Sequence, residues 1–323
     1  NGYPLPDFVI KEFEEYLKCG ILAHGFLRAK CDSCSFEHLI AFSCKKRGFC
    51  PSCGARRMSE TAAHLIDTVL PKNPIRQWVL SFPFSFRLCL AVRPKIMAKA
   101  LAITHSAIEA YYRKKAGLSK TNSKTGAVTL IQRFGGSLNC NPHFHMLFID
   151  GIYELDSDLA PTGFVECREP TVAELEEVIA KIINRFTRYL KRQNIIVEDE
   201  PEPTIPIDDD DTFAKLQKSS ITYRFATGPS AGKKALVLKS VVPEGDHNSN
   251  HGLVAKNSGF SMHAGVATDS HERDKLEKIC RYIARPAISE ERLSTNSVGD
   301  VIYRFKKPWD DGTAAIKLSP LEL

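Results

Sequence analysis

Two Cys-x2-Cys pairs, Cys31/Cys34 and Cys50/Cys53, stand fifteen residues apart near the start of the chain. That spacing suits a four-thiolate zinc site. Each pair sits in a turn-like stretch, Cys31-Asp-Ser-Cys34 and Cys50-Pro-Ser-Cys53, and such a turn aims two sulfurs at one ion. Tetrahedral Zn²⁺ takes four soft ligands, which two turns of this kind supply. Cys44, Cys19, His24 and His38 lie within reach along the chain and compete for places in that set. Cys89, Cys140, Cys167 and Cys280 read as small apolar filler. Ten cysteines in 323 residues do not make a small disulfide scaffold, and reduced thiolates on zinc point to a cytoplasmic protein.

The surroundings of the cysteines are basic. Lys45, Lys46 and Arg47 precede the second pair, and Arg56 and Arg57 follow it. Positive charge around a zinc module suits contact with nucleic-acid phosphates; the alternative is a structural staple with a solvated basic face. The net charge of +6 hides a strong asymmetry. Residues 76–149 hold 11 basic and 1 acidic residue, whereas 150–211 hold 6 and 17. A basic surface beside an acidic one usually faces a polyanion. Wholesale disorder is excluded by an apolar fraction of 43%. No apolar run of about 18 residues is present, so no membrane span is expected. The Asn-Gly-Tyr-Pro start carries no basic-then-apolar leader, so no signal peptide is expected either.

Periodicity divides the chain into a helix-plus-zinc module at 1–72 and a larger domain at 73–323. Helices are expected at about 7–19, 58–70, 94–115, 171–193 and 271–284. Strands are expected at about 78–82, 128–134, 143–149, 220–226, 235–241, 260–267 and 298–305. The stretch 150–211 reads as an acidic helical insertion or linker, with Pro- and acid-rich residues from 198 to 211.

His143-Phe144-His145 is the sharpest catalytic feature. Alternate residues of a strand share a face, so both imidazoles can reach one divalent ion while Phe144 enters the core. Gln132, across the Gly135-Gly136 turn, is a candidate third ligand or an ordinary strand polar residue; the irregular turn leaves its parity open. The second feature is Cys280-Arg281-Tyr282-Ile283-Ala284-Arg285-Pro286, near the end of an expected helix. Arg281 and Arg285 can bind phosphate, and a phenol between them can attack it. His263, on the strand before this helix, either orients substrate or packs. Tyr111 and Tyr112, beside Arg113, Lys114 and Lys115, are either stacking platforms for bases or part of a helix end with solvated charges.

Taken together, these motifs resemble the IS91/ISCR family of rolling-circle transposases. Gly48-Phe49-Cys50-Pro51-Ser52-Cys53, with Cys31 and Cys34, resembles its zinc-binding domain. Gln132-Arg133-Phe134-Gly135-Gly136-Ser137-Leu138-Asn139 running into His143-Phe144-His145 resembles its metal motif, and Arg281 to Pro286 its tyrosine helix. The likeness spans about residue 12 through Thr313. It implies an α+β fold: an antiparallel-sheet HUH nuclease core flanked by helices, with a small zinc module. It also implies cleavage of single-stranded DNA at transposon ends and target by Tyr282, leaving a 5′-phosphotyrosine and a free 3′-OH. His143, His145 and Gln132 would hold Mg²⁺ or Mn²⁺, with Zn²⁺ structural on Cys31, Cys34, Cys50 and Cys53. Lys45, Lys46, Arg47, Arg56, Arg57, Arg133, Arg281 and Arg285 are the DNA-binding candidates. Some members carry a second tyrosine four residues earlier, where Lys278 stands here, so the chain reads as a single-tyrosine member. A replication initiator or relaxase shares this chemistry, and a non-catalytic zinc-dependent DNA-binding protein shares only the binding.

Overall fold

The computed structural model describes residues 6–45, 50–196, 211–226, 230–239, 253–306, 308–309 and 311–319. The N-terminal module holds α1 (Asp7–Leu17), an antiparallel ribbon of β1 (Phe26–Lys30) and β2 (Glu37–Ala41), and α2 (Pro51–His64). Proline suits the first turn of α2 because its missing N–H would be unsatisfied there anyway. The chain continues through β3 (Ile75–Ser81), α3 (Phe84–Val92) and α4 (Pro94–Ala116). Helix α4 stops at Gly117, whose φ of 70° is the left-handed conformation glycine adopts without a Cβ clash.

Next come β4 (Ser123–Lys124), β5 (Ala127–Phe134), β6 (Cys140–Ile149), β7 (Gly151–Leu155) and β8 (Pro161–Glu166). Helix α5 (Val172–Arg192) opens on a capping box, in which Thr171 Oγ1 accepts from the Glu174 N–H and the Glu174 carboxylate accepts from the Thr171 N–H. The remaining elements are α6 (Thr212–Ile221), β9 (Leu236–Lys239), β10 (Val254–Asn257), β11 (Phe260–Thr268), α7 (Arg273–Ala284), β12 (Leu293–Thr295), β13 (Val301–Arg304) and β14 (Thr313–Leu318).

The architecture is α+β with antiparallel sheets. The central sheet has the order β10-β11-β3-β6-β5. β4, β7 and β8 form a second sheet, and β12, β13, β14 and β9 a third. In the central sheet the pleat separates two cores. One face carries Trp78, Leu80, Phe144, Met146 and Phe148, buried with apolar residues of α4 and α5. Phe82 meets Phe144, Phe186 and Phe260 there at ring separations of 5.2, 5.9 and 5.7 Å, which ties β6, α5 and β11 together. The opposite face carries Ile75, Leu147 and Ile149, packed with Ala62 and Leu65 near the C-terminal end of α2 and Leu276, Cys280 and Ile283 of α7.

Several parts depart from the expectation, among them the stretch 150–211, which opens with the strands β7 and β8 before α5. Residues 220–226 are not a strand: the Asp211 carboxylate accepts from the Ala214 N–H at 2.9 Å and starts α6, which absorbs the first of them. Helix α3 lies in an apolar run with no clear period, where strand and helix look alike. Tyr111 and Tyr112 are buried, so neither is a stacking platform. The acidic run from 198 to 210, Lys46, Arg47 and the end of the strand expected at 235–241 lie outside the described residues. No helix among the described residues is long and apolar enough to cross a membrane.

A buried polar network closes the sheet where β6 ends. Arg76 and Asp150 are each 5% exposed and form an ion pair at 2.7 Å. Arg76 Nη1 donates to the Ala264 carbonyl at 2.9 Å, joining β3 to β11. The Tyr112 hydroxyl donates to Asp150 at 3.0 Å and accepts from the Trp78 indole at 3.1 Å, which adds α4. Asp150→Ala strands a buried guanidinium, so we predict a loss of about 3–5 kcal/mol. Urea unfolding reads it as a lower midpoint at unchanged slope; an unchanged midpoint refutes the network's role.

Candidate functional site

The four sulfurs that meet in space are those of Cys19, Cys44, Cys50 and Cys53, all within 4.8 Å of one another. Cys19 follows α1, Cys44 follows β2, Cys50 is the N-cap of α2, and Cys53 lies in its first turn. The Sγ···Sγ separations are 3.7 Å for Cys19–Cys53 and Cys44–Cys53, and 3.6 Å for Cys50–Cys19. Zn–S bonds of about 2.3 Å in a tetrahedron place sulfurs about 3.8 Å apart, so the cluster fits Zn²⁺. The backbone N–H of Cys44 donates to the Cys19 sulfur at 3.4 Å, an orienting contact outside the metal shell.

This corrects the set expected from spacing. Cys50 and Cys53 are in the cluster, but Cys31 and Cys34 are not. The ribbon carries the Cys31/Cys34 turn to its tip, while Cys19 and Cys44 sit at its base. There Gly20 N–H donates to the Phe42 carbonyl at 3.1 Å, and Phe42 N–H to the Gly25 carbonyl at 3.0 Å. Five strand residues separate tip from base, a span of roughly 17 Å that no rotamer closes. His24 and His38 are exposed and also stay outside the cluster. Cys31 has an independent feature: hydrogen bonds from Ser33 hold its thiol down at about 7.

The second constellation lies on the sheet face beneath α7. Residues paired across antiparallel strands share a face. The register places Gln132, His143 and Ser81 in one row, and Leu130, His145, Val79 and His263 in the next. Gln132 therefore stands directly opposite His143, which settles its parity. The imidazole rings of His143 and His145 are 5.0 Å apart, and the Tyr282 ring is 6.0 Å from that of His145. Tyr282 is 41% exposed, whereas His145 is 5% exposed. Gln132 Nε2 donates to the Ile283 carbonyl at 2.8 Å, tying β5 to the residue after the tyrosine.

Both imidazoles are kept neutral. Burial lowers the pKa of His143 despite its bond to Asn141, and burial with His143 and Arg285 nearby takes His145 to about 3. His143 Nδ1–H donates to the Asn141 carbonyl at 2.7 Å, leaving Nε2 as a lone pair. His145 Nδ1 is 3.0 Å from the Gln77 amide nitrogen, and a half-turn of that amide lets its oxygen accept Nδ1–H and frees Nε2 likewise. The donor set of two imidazoles and an amide suits a divalent cation. Gln77 escaped the sequence reading; its only signal is a polar residue among the apolar ones of β3.

The cationic candidates separate by environment. Arg56 is paired with Glu60 at 2.8 Å, and Arg281 with Glu277 at 2.7 Å. The Arg285 guanidinium lies over the Tyr282 ring at 4.1 Å, and Lys306 Nζ lies 5.5 Å from the same ring. Arg57, Arg133 and Arg285 line one cleft together with Arg292. His263 lines another, of about 540 Å³, with His145, Lys275, Lys278 and Tyr282. Lys45 is exposed beside Cys44.

A family model described as "Putative transposase" matches residues 126–323. One described as "Transposase zinc-binding domain", of the IS91 type, matches residues 3–82. No curated protein and no solved structure matches. Zinc stoichiometry measured by mass spectrometry separates the two cysteine sets. Cys19→Ser and Cys44→Ser are expected to lose the cluster's zinc, and Cys31→Ser to keep it; the reverse result restores the set read from spacing.

Proposed function

The chain belongs to the transposase family whose model covers its residues 126–323, and from that membership we propose that it cuts and rejoins single-stranded DNA through a covalent bond to Tyr282. A transposase acts on DNA, so the open matter is the chemistry. The observation that carries the reading is the approach of the exposed Tyr282 ring, 6.0 Å from His145, to the face where His143, His145 and Gln132 converge. This arrangement supports an HUH-type nuclease.

Tyr282 Oη attacks the scissile phosphorus. The phenol gives up its proton to solvent as the new Tyr–O–P bond to the 5′ side forms; the P–O3′ bond breaks, and the departing 3′ oxygen takes up a proton to become a 3′-OH, so no net proton is released. The reaction exchanges one phosphodiester for another, so it needs no nucleotide cofactor. His143, His145 and Gln132 would hold Mg²⁺ or Mn²⁺, which would supply polarisation of the phosphate. Arg285 and Lys306, beside the tyrosine ring, present positive charge to the phosphate oxygens. Gln132 holds the end of α7 against β5 and so limits how far Tyr282 can swing from the histidines. Reversal by the 3′-OH of a second strand completes a transfer.

Helix α5 packs against the opposite face of the sheet, which keeps its carboxylates Glu174, Glu176 and Glu177 away from this surface. Cytoplasmic action at the nucleoid follows from the same reading.

Tyr282→Phe is expected to abolish the SDS-resistant DNA adduct while DNA affinity stays near wild type. A retained adduct sinks the assignment, and its absence from the wild-type chain supports a protein that only binds DNA. His143→Ala and His145→Ala should lose metal-dependent nicking, and full activity in either removes the metal role. Gln77→Leu should weaken metal-dependent nicking about 10–100-fold through the orientation of His145, read as a raised metal requirement.

A further inference from the structure

Beside the tyrosine, on the side away from His263, lies a groove of about 480 Å³. Its walls come from three separate parts of the chain: α2 of the zinc module, the end of β5, and the segment after α7. Arg57, Arg133, Arg285 and Arg292 all border it, and among the described residues no carboxylate does. None of the four has an ion pair among the described residues, unlike the neighbouring Arg56 and Arg281. Arg292 is held in place by its bond to the Gly136 carbonyl at 3.1 Å and by lying over the Tyr303 ring at 5.0 Å. Phe134, 45% exposed, borders the same groove. Converging unpaired guanidinium groups call for an anion, and an exposed ring among them offers a stacking surface to an unpaired base.

The wall formed by α2 depends on the metal cluster. Cys53 and Arg57 are four residues apart on that helix, hence on one face, a turn apart. The other end of α2 is held by α7, whose first residue, Arg273, donates to the carbonyls of Ile66, Leu70 and Pro71. Helices α2 and α7 therefore run antiparallel, with the cysteine cluster and Tyr282 toward the same end.

Building on the DNA-cutting reading, we infer that this groove holds one unpaired strand, with phosphates on Arg57, Arg133 and Arg292 and a base stacked on Phe134, and that the zinc-pinned helix α2 is a wall of the active-site channel. The strand runs from the groove past Arg285 to Tyr282. A duplex keeps its bases paired and offers Phe134 no face, so the groove discriminates against it.

The test is fluorescence anisotropy with the full chain carrying Tyr282→Phe, without divalent metal, on an oligothymidine and on a duplex of equal length. Arg57→Ala and Arg292→Ala are each expected to weaken oligothymidine binding severalfold and to lower the slope of log K against log salt by about 0.7. Phe134→Leu is expected to lose on the order of tenfold, with Phe134→Trp restoring it. Lys181→Ala, on α5 across the sheet, should bind as the parent does. Equal affinity for strand and duplex, or groove variants that bind as the parent does, overturns the inference. Adduct formation in the chain with Tyr282 intact is scored separately. An adduct with unaffected groove variants leaves the chemistry and removes the groove; groove-dependent binding without an adduct does the opposite.

Discussion

On β6 the side chains of His143 and His145 share a face because residues two apart on a strand point the same way, and Phe144, Met146 and Phe148 fill the other. This pleat sets the rest of the site. The apolar set buries itself against α4 and α5 and fixes which face the imidazoles take; a one-residue slip would put both histidines into the aromatic core. Pairing with β5 and β3 then brings Gln132 opposite His143 and Gln77 within reach of His145. The same face carries Leu147 and Ile149 further along, and these receive α7. The sheet thus supplies both the face that carries the two imidazoles and the apolar seat for α7.

The zinc cluster acts on the same packing through α2. Four sulfurs from three separated stretches are drawn to the start of α2, and α2 lies along α7 above the sheet. A small module with few buried residues of its own, including none in α1, gains order from such a centre more than from a core. The consequence reaches past the module, because Arg57 and Gly54 of α2 border the groove beside Tyr282.

Charge is distributed along the same lines. The basic stretch 76–149 contributes Arg133 to the groove, and the described part of the acidic stretch 150–211 folds as β7, β8 and α5. Several of the acidic residues there are matched locally, as when Glu174 meets Lys115 and Arg168, and Glu177 meets Lys114. Among the described residues, Arg57, Arg133, Arg285 and Arg292 border one groove beside Tyr282 without an ion pair. The modest net charge conceals this because it sums over faces that the fold separates.

The sequence by itself determined what is periodic or local. Alternation on β6 put the two histidines on one face, and the apolar stripes of α5 and α7 announced those helices. The composition of Cys50 to Cys53 marked a zinc knuckle. Tertiary structure decided what depends on distance through space. Spacing joined Cys31 and Cys34 to the cluster, but a five-residue ribbon carries them to its tip and leaves the places to Cys19 and Cys44. Gln132 remained open because a turn of irregular geometry hides parity, and only the register with β6 fixed it. Arg292 and Lys306 carry no local signature, and Gln77 only that of a polar residue in β3, since their placements arise from strands and loops that meet far from where they lie in the chain. Local chemistry is written in neighbours along the chain, whereas a site is made of neighbours across it.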